Sequence, residues 1–147
     1  MLARIVGTGV PDGPQEVHVE LKKAGKIAQN VIAKMDSFYD HISINEYVIM
    51  PNHIHLLVSF TEKSNSRSLG GQSRTPVPTK MAIQNSQMSE LVSTFKRFCN
   101  KEYGENIWQA RSYDHVIRDF DDMQKHIIYI KNNPIKWKTD QLYHEDS

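Results

Sequence analysis

Two histidines stand one residue apart in the otherwise apolar stretch YVIMPNHIHLLVSF (47–60). Because side chains alternate across a β-strand, a strand here places His53 and His55 on one face and Ile54 on the other. Two imidazoles that lie this close can bind one divalent cation. The same pair can also be two half-exposed polar residues, or one of them can cap the turn at Pro51. The pair alone therefore leaves open whether this is a metal site.

A tyrosine and two polar residues fall on one face of a helix later in the chain. His126, Tyr129 and Asn133 are spaced i, i+3 and i+7, and they avoid the apolar stripe of the same helix. A tyrosine hydroxyl beside a divalent cation and a phosphate is a plausible covalent nucleophile. The carbonyl oxygen of Asn133 is a further metal ligand in such a site. The alternative for Tyr129 is a packed aromatic ring whose hydroxyl reaches water.

The apolar pattern predicts the elements that must position these residues. Helical spacing predicts three helices, β-branched runs predict three strands, and Pro51-Asn52 predicts a turn between the first two strands. In chain order the predicted elements are a helix at 21–35, strands at 41–50 and 53–60, a helix at 86–103 ended by Gly104, a bent or bulged strand at 107–118, and a helix capped by Asp119 and ended by Asn133-Pro134. This order predicts an α+β fold.

The remaining segments carry no clear pattern. Glycine and proline break up residues 1–19, which predicts an irregular lead-in at 1–20. Ser, Asn, Gly, Gln, Pro and Thr dominate 61–85, which predicts a long disordered loop. One domain at 21–138 and a flexible tail at 139–147 complete the predicted organisation.

Composition restricts the class of protein only weakly. The formal net charge is +1, although residues 96–138 carry nine Lys or Arg against six Asp or Glu, which gives weak support for a phosphate-rich partner. Cys99 is the only cysteine and lies in an apolar pattern, so we expect a buried thiol and no internal disulfide. No stretch is apolar enough for a membrane span or a signal peptide, which predicts a soluble, cytoplasmic protein.

Three segments together resemble one family. YVIMPNHIHLLVSF (47–60), IWQARSYDHVIRD (107–119) and YIKNNPIKW (129–137) look like the single-tyrosine HUH transposases, and in particular the REP-associated tyrosine transposases. The resemblance runs from about residue 25 to residue 137 and is interrupted by the polar loop. It implies a ferredoxin-like antiparallel sheet with helices packed on it, beside a helix that bears one tyrosine.

The resemblance also implies roles for particular residues. His53 and His55 match the metal-ligand histidines, Asn133 matches a third polar ligand, and Tyr129 matches the nucleophile. The implied cofactor is a divalent metal, Mg²⁺ or Mn²⁺. Candidate DNA contacts are Lys96, Arg97, Lys101, Arg118, Lys131 and Lys136, although each lysine can also be a solvated charge.

The implied activity is that of a transposase, a single-stranded DNA endonuclease and strand transferase that acts through a 5′-phosphotyrosine. Its partner would be single-stranded or hairpin DNA, and the protein would work as a homodimer or as a monomer. The family has a strand ahead of the first helix that is central in its sheet. We expect this strand to be missing here, which would leave a gap in the sheet, because residues 3–6 are too few and residues 17–19 are a poor substitute. A non-catalytic single-stranded nucleic-acid binding module, from a truncated or domesticated copy, is therefore the alternative. A metal-binding or interaction protein unrelated to DNA is a third reading.

Overall fold

The computed structural model describes residues 1–8, 16–61, 80–110 and 112–137, which form four strands and three helices. The predicted tail (139–147) and residues 62–79 of the predicted loop lie outside these ranges. In chain order the elements are β1 (Ala3–Thr8), β2 (Glu16–Leu21), α1 (Lys23–Phe38), β3 (Ile42–Ile49), β4 (Ile54–Phe60), α2 (Lys80–Tyr103) and α3 (Phe120–Asn132).

The fold is α+β, as predicted, and is compatible with ferredoxin-like packing. Within the described residues the strands form two antiparallel pairs, β1 with β2 and β3 with β4. One apolar stripe of α1 is buried in the core, and it agrees with the predicted helix over 21–35 except that Leu21 belongs to β2. The buried members of that stripe are Ala24, Ile27, Ala28, Val31, Ile32 and Met35.

The predicted irregular lead-in (1–20) is wrong for residues 3–8 and 16–20, which form strands. Strand β1 pairs with β2 from Ala3 opposite Leu21 to Thr8 opposite Glu16. The β-branched residues of these two segments favour strands, but the neighbouring glycines and prolines favour an irregular segment, and the prediction followed the glycines and prolines. Those breakers fall mainly at 9–15, between the two strands along the sequence, where a connection tolerates them. The expected absence of a strand before the first helix is therefore corrected, and two strands stand there.

The N-terminal strand is joined to the turn that precedes the histidine pair. The Leu2 N–H donates to the Pro51 carbonyl at 2.7 Å, and the Leu2 carbonyl accepts from the Lys22 N–H at 2.9 Å. Leu2 and Ala3 are both buried in the main core. The chain start thus positions the Pro51 turn, and through it the beginning of β4.

Gly25 marks the closest approach of α1 to the chain start. A Cβ built on Gly25 would lie 2.2 Å from the Leu2 carbonyl oxygen, a backbone atom that already accepts a hydrogen bond. Gly25→Ala should therefore lower the free energy of unfolding by about 1–3 kcal/mol, because overpacking outweighs the roughly 1 kcal/mol that alanine normally adds to a helix. Urea denaturation followed by circular dichroism measures the change.

Gly7→Ala is the matched control for Gly25→Ala. A Cβ on Gly7, in β1, would meet nothing within 4 Å. Glycine in a strand costs conformational entropy, so this change should leave stability equal or slightly higher. Equal urea midpoints for the two variants would show that α1 does not need a glycine against the N-terminal strand.

The β3–β4 hairpin has the predicted turn and a bulge. The Met50 N–H donates to the His53 carbonyl at 2.9 Å across Pro51-Asn52, which confirms the turn. The register runs from Ile42 opposite Phe60 to Ile49 opposite Ile54, with an irregularity between Ile44 and Glu46. The extra residue lies at Asn45, where the β-pattern of the sequence is weakest. The turn brings His53 to the very start of β4.

Helix α2 begins earlier than predicted. It starts at Lys80, so the predicted loop (61–85) is wrong over its last six residues, 80–85. Cys99 is fully buried, as expected, and burial raises the pKa of its thiol to about 12, with Glu102 adding to the effect. Such a thiol is inert at neutral pH. Gly104 ends the helix with a φ of 100°, where its N–H donates to the Asn100 carbonyl at 2.9 Å.

The predicted strand at 107–118 is wrong: the described residues of this segment, 107–110 and 112–118, have no regular secondary structure. Side chains replace a strand ladder as partners for its backbone. The Asn100 Oδ1 atom accepts from the Ile107 N–H at 3.1 Å, and the Lys96 Nζ donates to the Gln109 carbonyl at 2.7 Å. The ring of Trp108 packs 5.2 Å from that of Phe95 on α2. These contacts hold the start of the segment against α2.

Helix α3 begins as predicted. The Asp119 carboxylate accepts from the Asp122 N–H at 2.8 Å, which confirms the N-cap. Ile130 is buried, and the helix packs against β3 and β4. An ion pair between Lys131 and Glu46, 3.4 Å long, ties its last turn to β3. Helix α3 is therefore held beside the hairpin that carries the histidine pair.

Candidate active site

The two histidines of the sequence motif lie side by side. Their Nε2 atoms are 3.0 Å apart, and the ring centroids are 4.6 Å apart. The Nδ1 atom of His53 lies 2.7 Å from the Asn52 Oδ1 atom, which accepts a hydrogen bond from the Nδ1–H group. In a neutral His53 ring this contact leaves the Nε2 lone pair directed at His55. Proteins orient metal-binding imidazoles in the same way, with a hydrogen bond from the ring nitrogen that does not bind the metal to an oxygen atom.

The separation of the two Nε2 atoms fits a shared cation. Two nitrogens that are each about 2.1 Å from an ion and at right angles to each other lie about 3.0 Å apart. In the absence of an ion, the same distance allows one neutral imidazole to donate to the other. The pair at His53 and His55 is thus preorganised for one cation, with no rearrangement of the hairpin.

Tyr129 lies against this pair. Its ring centroid is 5.2 Å from that of His55, and the two rings meet edge to face at 78°. The side chain is half exposed, so its hydroxyl can be reached from solvent while the ring stays packed. The structure therefore brings together the imidazole pair of β4 and the phenol of α3, which are 74 positions apart along the sequence.

Asn133 is buried next along the same helix face. It is 2% exposed, and within the described residues neither its Oδ1 nor its Nδ2 atom has a hydrogen-bond partner. Leaving a buried amide without a partner costs about 1–3 kcal/mol. A metal ion or a phosphate group would supply the missing partner. Asn133 lines the pocket that also contains Tyr129, so its amide is a candidate ligand group on this side of the helix.

Trp137 covers the other side of the pair. Its ring is buried and lies 5.8 Å from that of His53 at an angle of 39°. The segment after α3 therefore packs against His53, while α3 itself packs against His55. Two aromatic rings that flank two imidazoles limit how far the imidazoles can turn.

A shallow pocket of about 230 Å³ opens beside Tyr129. Its lining residues are Lys125, Ile128, Tyr129, Asn132, Asn133 and Lys136. Cationic, apolar and amide groups in one hollow suit a nucleotide, which has a phosphate and an apolar base face. A larger hollow of about 520 Å³ between the end of α1 and α2 is lined by neither histidine of the pair nor Tyr129.

The six candidate DNA contacts fall into separate groups. Lys96, Arg97 and Lys101 belong to α2, which packs mainly against α1. Lys131, Lys136 and Arg118 belong to α3 or its flanks, and α3 packs against β3 and β4. The candidate cations are therefore divided between two helices that pack against different elements.

Several cations already have intramolecular contacts. Lys96 donates to the Gln109 carbonyl, Arg97 lies 5.5 Å from the Phe98 ring, and Lys131 pairs with Glu46. Lys136 lines the pocket beside Tyr129. Of the six, Lys136 is the one that lines the pocket containing Tyr129, and its position alone makes it a candidate DNA contact there.

Sequence reasoning missed three contributors to the site region. Asn52 was assigned only to the turn, and Trp137 and His115 were considered only as parts of the segments 129–137 and 107–119 that carry the family resemblance. The orienting role of Asn52 depends on a contact with the next residue, His53, which no spacing rule reveals. His126, predicted to share the Tyr129 face, contacts His115 and Asp122 instead of the histidine pair.

No helix in the described part of the chain combines the length and the apolar character needed to cross a membrane.

Comparisons with known proteins identify related chains. A Haemophilus influenzae protein named only as uncharacterized is 32% identical over 132 residues, which cover 85% of this chain and 72% of the relative. A second Haemophilus influenzae protein, provisionally named as a REP-associated tyrosine transposase, is 33% identical over 92 residues, or 60% of this chain. An Escherichia coli protein named REP-associated tyrosine transposase is 29% identical over 93 residues, or 63% of this chain.

The similarity to the transposase-named proteins is partial. The chain spans 47% and 44% of the lengths of those two relatives, which is about half. No protein-family model and no solved structure matches the chain. The relatives therefore support a transposase-related function at the level of the family, and the chemistry must be argued from the site.

Proposed function

We propose that this chain is a metal-dependent transposase that cuts and rejoins single-stranded DNA. The chain belongs to the same protein family as the uncharacterized Haemophilus influenzae protein, of which it covers 72%. The observation that carries the proposal is the contact of the Tyr129 ring with His55, itself 3.0 Å from His53. A phenol beside a preorganised imidazole pair is the arrangement that metal-assisted attack of a tyrosine on a phosphate requires.

His53, His55 and Asn133 are the residues that would hold a divalent metal. The convergent Nε2 atoms and the unpartnered amide fit a Mg²⁺ or Mn²⁺ ion, which supplies charge stabilisation at the phosphate oxygens when it is bound. Three protein ligands leave coordination positions for phosphate oxygens and water. Asn52 keeps the Nε2 atom of His53 turned toward the ion site.

Tyr129 performs the covalent step. Its hydroxyl oxygen attacks phosphorus, and the bond between phosphorus and the 3′ oxygen of the preceding nucleotide breaks. The 3′ oxygen takes a proton from water and leaves as a 3′-hydroxyl. The phenol proton passes to water, which reaches the half-exposed side chain. The product is a 5′-phosphotyrosine, and the reverse reaction with another 3′-hydroxyl rejoins the strand. The phosphotyrosyl bond conserves the energy of the original linkage, so the reaction needs no nucleotide cofactor.

The substrate we propose is single-stranded or hairpin DNA in the cytoplasm. The pocket lined by Lys125, Ile128 and Lys136 offers two cations and an apolar side chain next to the proposed nucleophile. Lys131 and Arg118 extend this cationic side along α3, and Lys96, Arg97 and Lys101 form a second group on α2. The protein acts as a homodimer if one DNA end binds the cations of α3 on one subunit and the cations of α2 on the other. It acts as a monomer if both groups of cations bind the DNA from the same subunit.

A covalent-adduct assay tests the proposal. Untagged protein is incubated with Mn²⁺ and a mixture of 3′-labelled single-stranded and hairpin oligonucleotides, because the 5′-phosphotyrosine retains the 3′ fragment. We expect a labelled, SDS-resistant protein band that EDTA abolishes. Trypsin should place the DNA on the peptide 126–131, in which Tyr129 is the only tyrosine. An adduct on another peptide, or one that EDTA leaves unchanged, would contradict the mechanism.

The non-catalytic binding module makes a different prediction for the same assay. It would retain the oligonucleotides in a salt-sensitive manner and form no SDS-resistant band. The main reason for that alternative was the expected lack of a strand before the first helix. Strands β1 and β2 occupy that part of the chain, and Leu2 is bonded to the Pro51 turn, which removes part of that reason. Among the described residues β1 pairs only with β2 and is not part of the β3–β4 sheet.

A further inference from the structure

A second group of metal-ligating side chains lies at the start of α3, outside the histidine pair. It consists of His115, Asp122 and His126, each of which offers one ligand atom, and these atoms all lie within 4.8 Å of one another. The His115 Nε2 atom is 3.0 Å from one Asp122 carboxylate oxygen, and the His126 Nδ1 atom is 3.3 Å from the other. We propose that this group is a second metal site, specific for a transition metal such as Zn²⁺ or Co²⁺.

The donor set determines the kind of metal. Two imidazoles and one carboxylate are a common ligand set for Zn²⁺, Co²⁺ and Ni²⁺. Nitrogen and oxygen ligands of a four-coordinate ion lie about 3.0–3.5 Å apart when each is about 2.0–2.1 Å from the metal. The distance from Asp122 to His115 falls in that range. The His126 Nδ1 atom donates to the Asp122 backbone carbonyl at 2.8 Å, so His126 must turn or give up this hydrogen bond in order to bind the ion.

The three side chains are held close together. Spacing of i, i+4 places Asp122 and His126 on one face of α3, and the rings of His115 and His126 stack with centroids 4.7 Å apart and planes 16° apart. Because an imidazole binds a metal in the plane of its ring, one of the two stacked rings must turn before both can hold the same ion. His115 is 58% exposed, so water can complete the coordination.

Such an ion would fasten an irregular segment to the helix of the proposed nucleophile. Residues 112–118 have no regular secondary structure, and the Arg118 N–H donates to the Asp122 carboxylate at 3.3 Å. His115 lies in this segment, while His126 is one turn before Tyr129 on α3. The ion would thus order this segment without entering the reaction. The inference does not depend on the proposed function, because none of the three ligands belongs to the imidazole pair.

The test removes the first site in order to see the second. Untagged His53→Ala/His55→Ala protein is stripped with EDTA and titrated with Co²⁺, whose visible absorption reports nitrogen and oxygen ligation. We expect one Co²⁺ to bind and Zn²⁺ to displace it. Adding His115→Ala or Asp122→Asn should weaken binding by at least about tenfold, the scale on which changes around a metal site act. Adding His18→Ala, an exposed histidine on β2, should change nothing.

Proteolysis provides a second readout that does not rely on spectroscopy. Zn²⁺ should slow trypsin cleavage after the exposed Arg118 in the His53→Ala/His55→Ala protein but not in its His115→Ala derivative. Far-UV circular dichroism verifies that each variant is folded. Absence of Co²⁺ absorption in the double variant, or equal Co²⁺ affinity with and without His115, would overturn the proposal.

Discussion

Tyr129→Phe should abolish the covalent protein–DNA adduct, with a loss of at least about a thousandfold in strand cleavage, the scale expected when a covalent nucleophile is removed. The change deletes one oxygen and keeps the ring that packs 5.2 Å from the His55 ring. The fold, the imidazole pair and DNA affinity should therefore remain within about twofold of the unmodified protein. Quantitative SDS gels measure the adduct, and fluorescence anisotropy with a labelled oligonucleotide measures binding.

Tyr113→Phe is the matched control for that experiment. Tyr113 is 94% exposed, so its hydroxyl is more accessible than that of Tyr129, and the substitution removes the same atom. If accessibility alone selected the nucleophile, Tyr113→Phe would reduce the adduct and Tyr129→Phe would not. We expect the opposite, because Tyr113 lies in the irregular segment whereas Tyr129 contacts His55. An adduct of normal yield with Tyr129→Phe would reject the assignment.

The parts of the fold that the sequence predicts well are those whose local signals agree with their surroundings. Helix α1 has one continuous apolar stripe, Asp119 caps α3, and Gly104 ends α2 with a positive φ. Each of these depends on neighbours within a few residues, so spacing and residue type are sufficient. Even the bulge of β3 falls where Asn45 interrupts the β-branched pattern.

The failures concern segments whose partners are distant in the sequence. Strand β1 was missed because its pairing with β2 and the burial of Ala3 against α1 are tertiary contacts, which outweigh a local excess of glycine and proline. The prediction for the segment 107–118 was wrong in the opposite way, because a strand was predicted and none forms in its described part. Its apolar residues favour a strand, but Asn100 and Lys96 of α2 provide hydrogen bonds to its backbone, so no neighbouring strand is needed.

The candidate site shows the same division. Alternation along a strand puts His53 and His55 on one face, and helical spacing puts Tyr129 and Asn133 on another, so each half is predictable. That the two halves meet depends on the packing of α3 against β3 and β4, which the residues alone do not reveal. The unpartnered state of the Asn133 amide is also a property of the packed molecule.

The Asn133→Asp substitution uses that unpartnered amide to test for the metal. The two side chains have almost the same shape, but the variant buries a carboxylate where no hydrogen-bond partner exists among the described residues. We expect a loss of about 2–4 kcal/mol in the free energy of unfolding at pH 7 without metal, since burial disfavours the charged form. Burial raises the pKa of the new carboxyl above its unfolded value of about 4. The loss should therefore vanish as the pH falls below that value.

Saturating Mn²⁺ should reverse the loss, because a buried carboxylate is a stronger ligand for this ion than an amide oxygen. The rise in melting temperature on adding Mn²⁺ should thus be larger for Asn133→Asp than for the unmodified protein. Asn132→Asp makes the same chemical change one residue earlier, at a position that is only half buried, and should show neither the loss nor the enhanced response to Mn²⁺. If Mn²⁺ stabilised both variants equally, the third ligand would not be Asn133. The ion would then be held by His53 and His55 without help from α3.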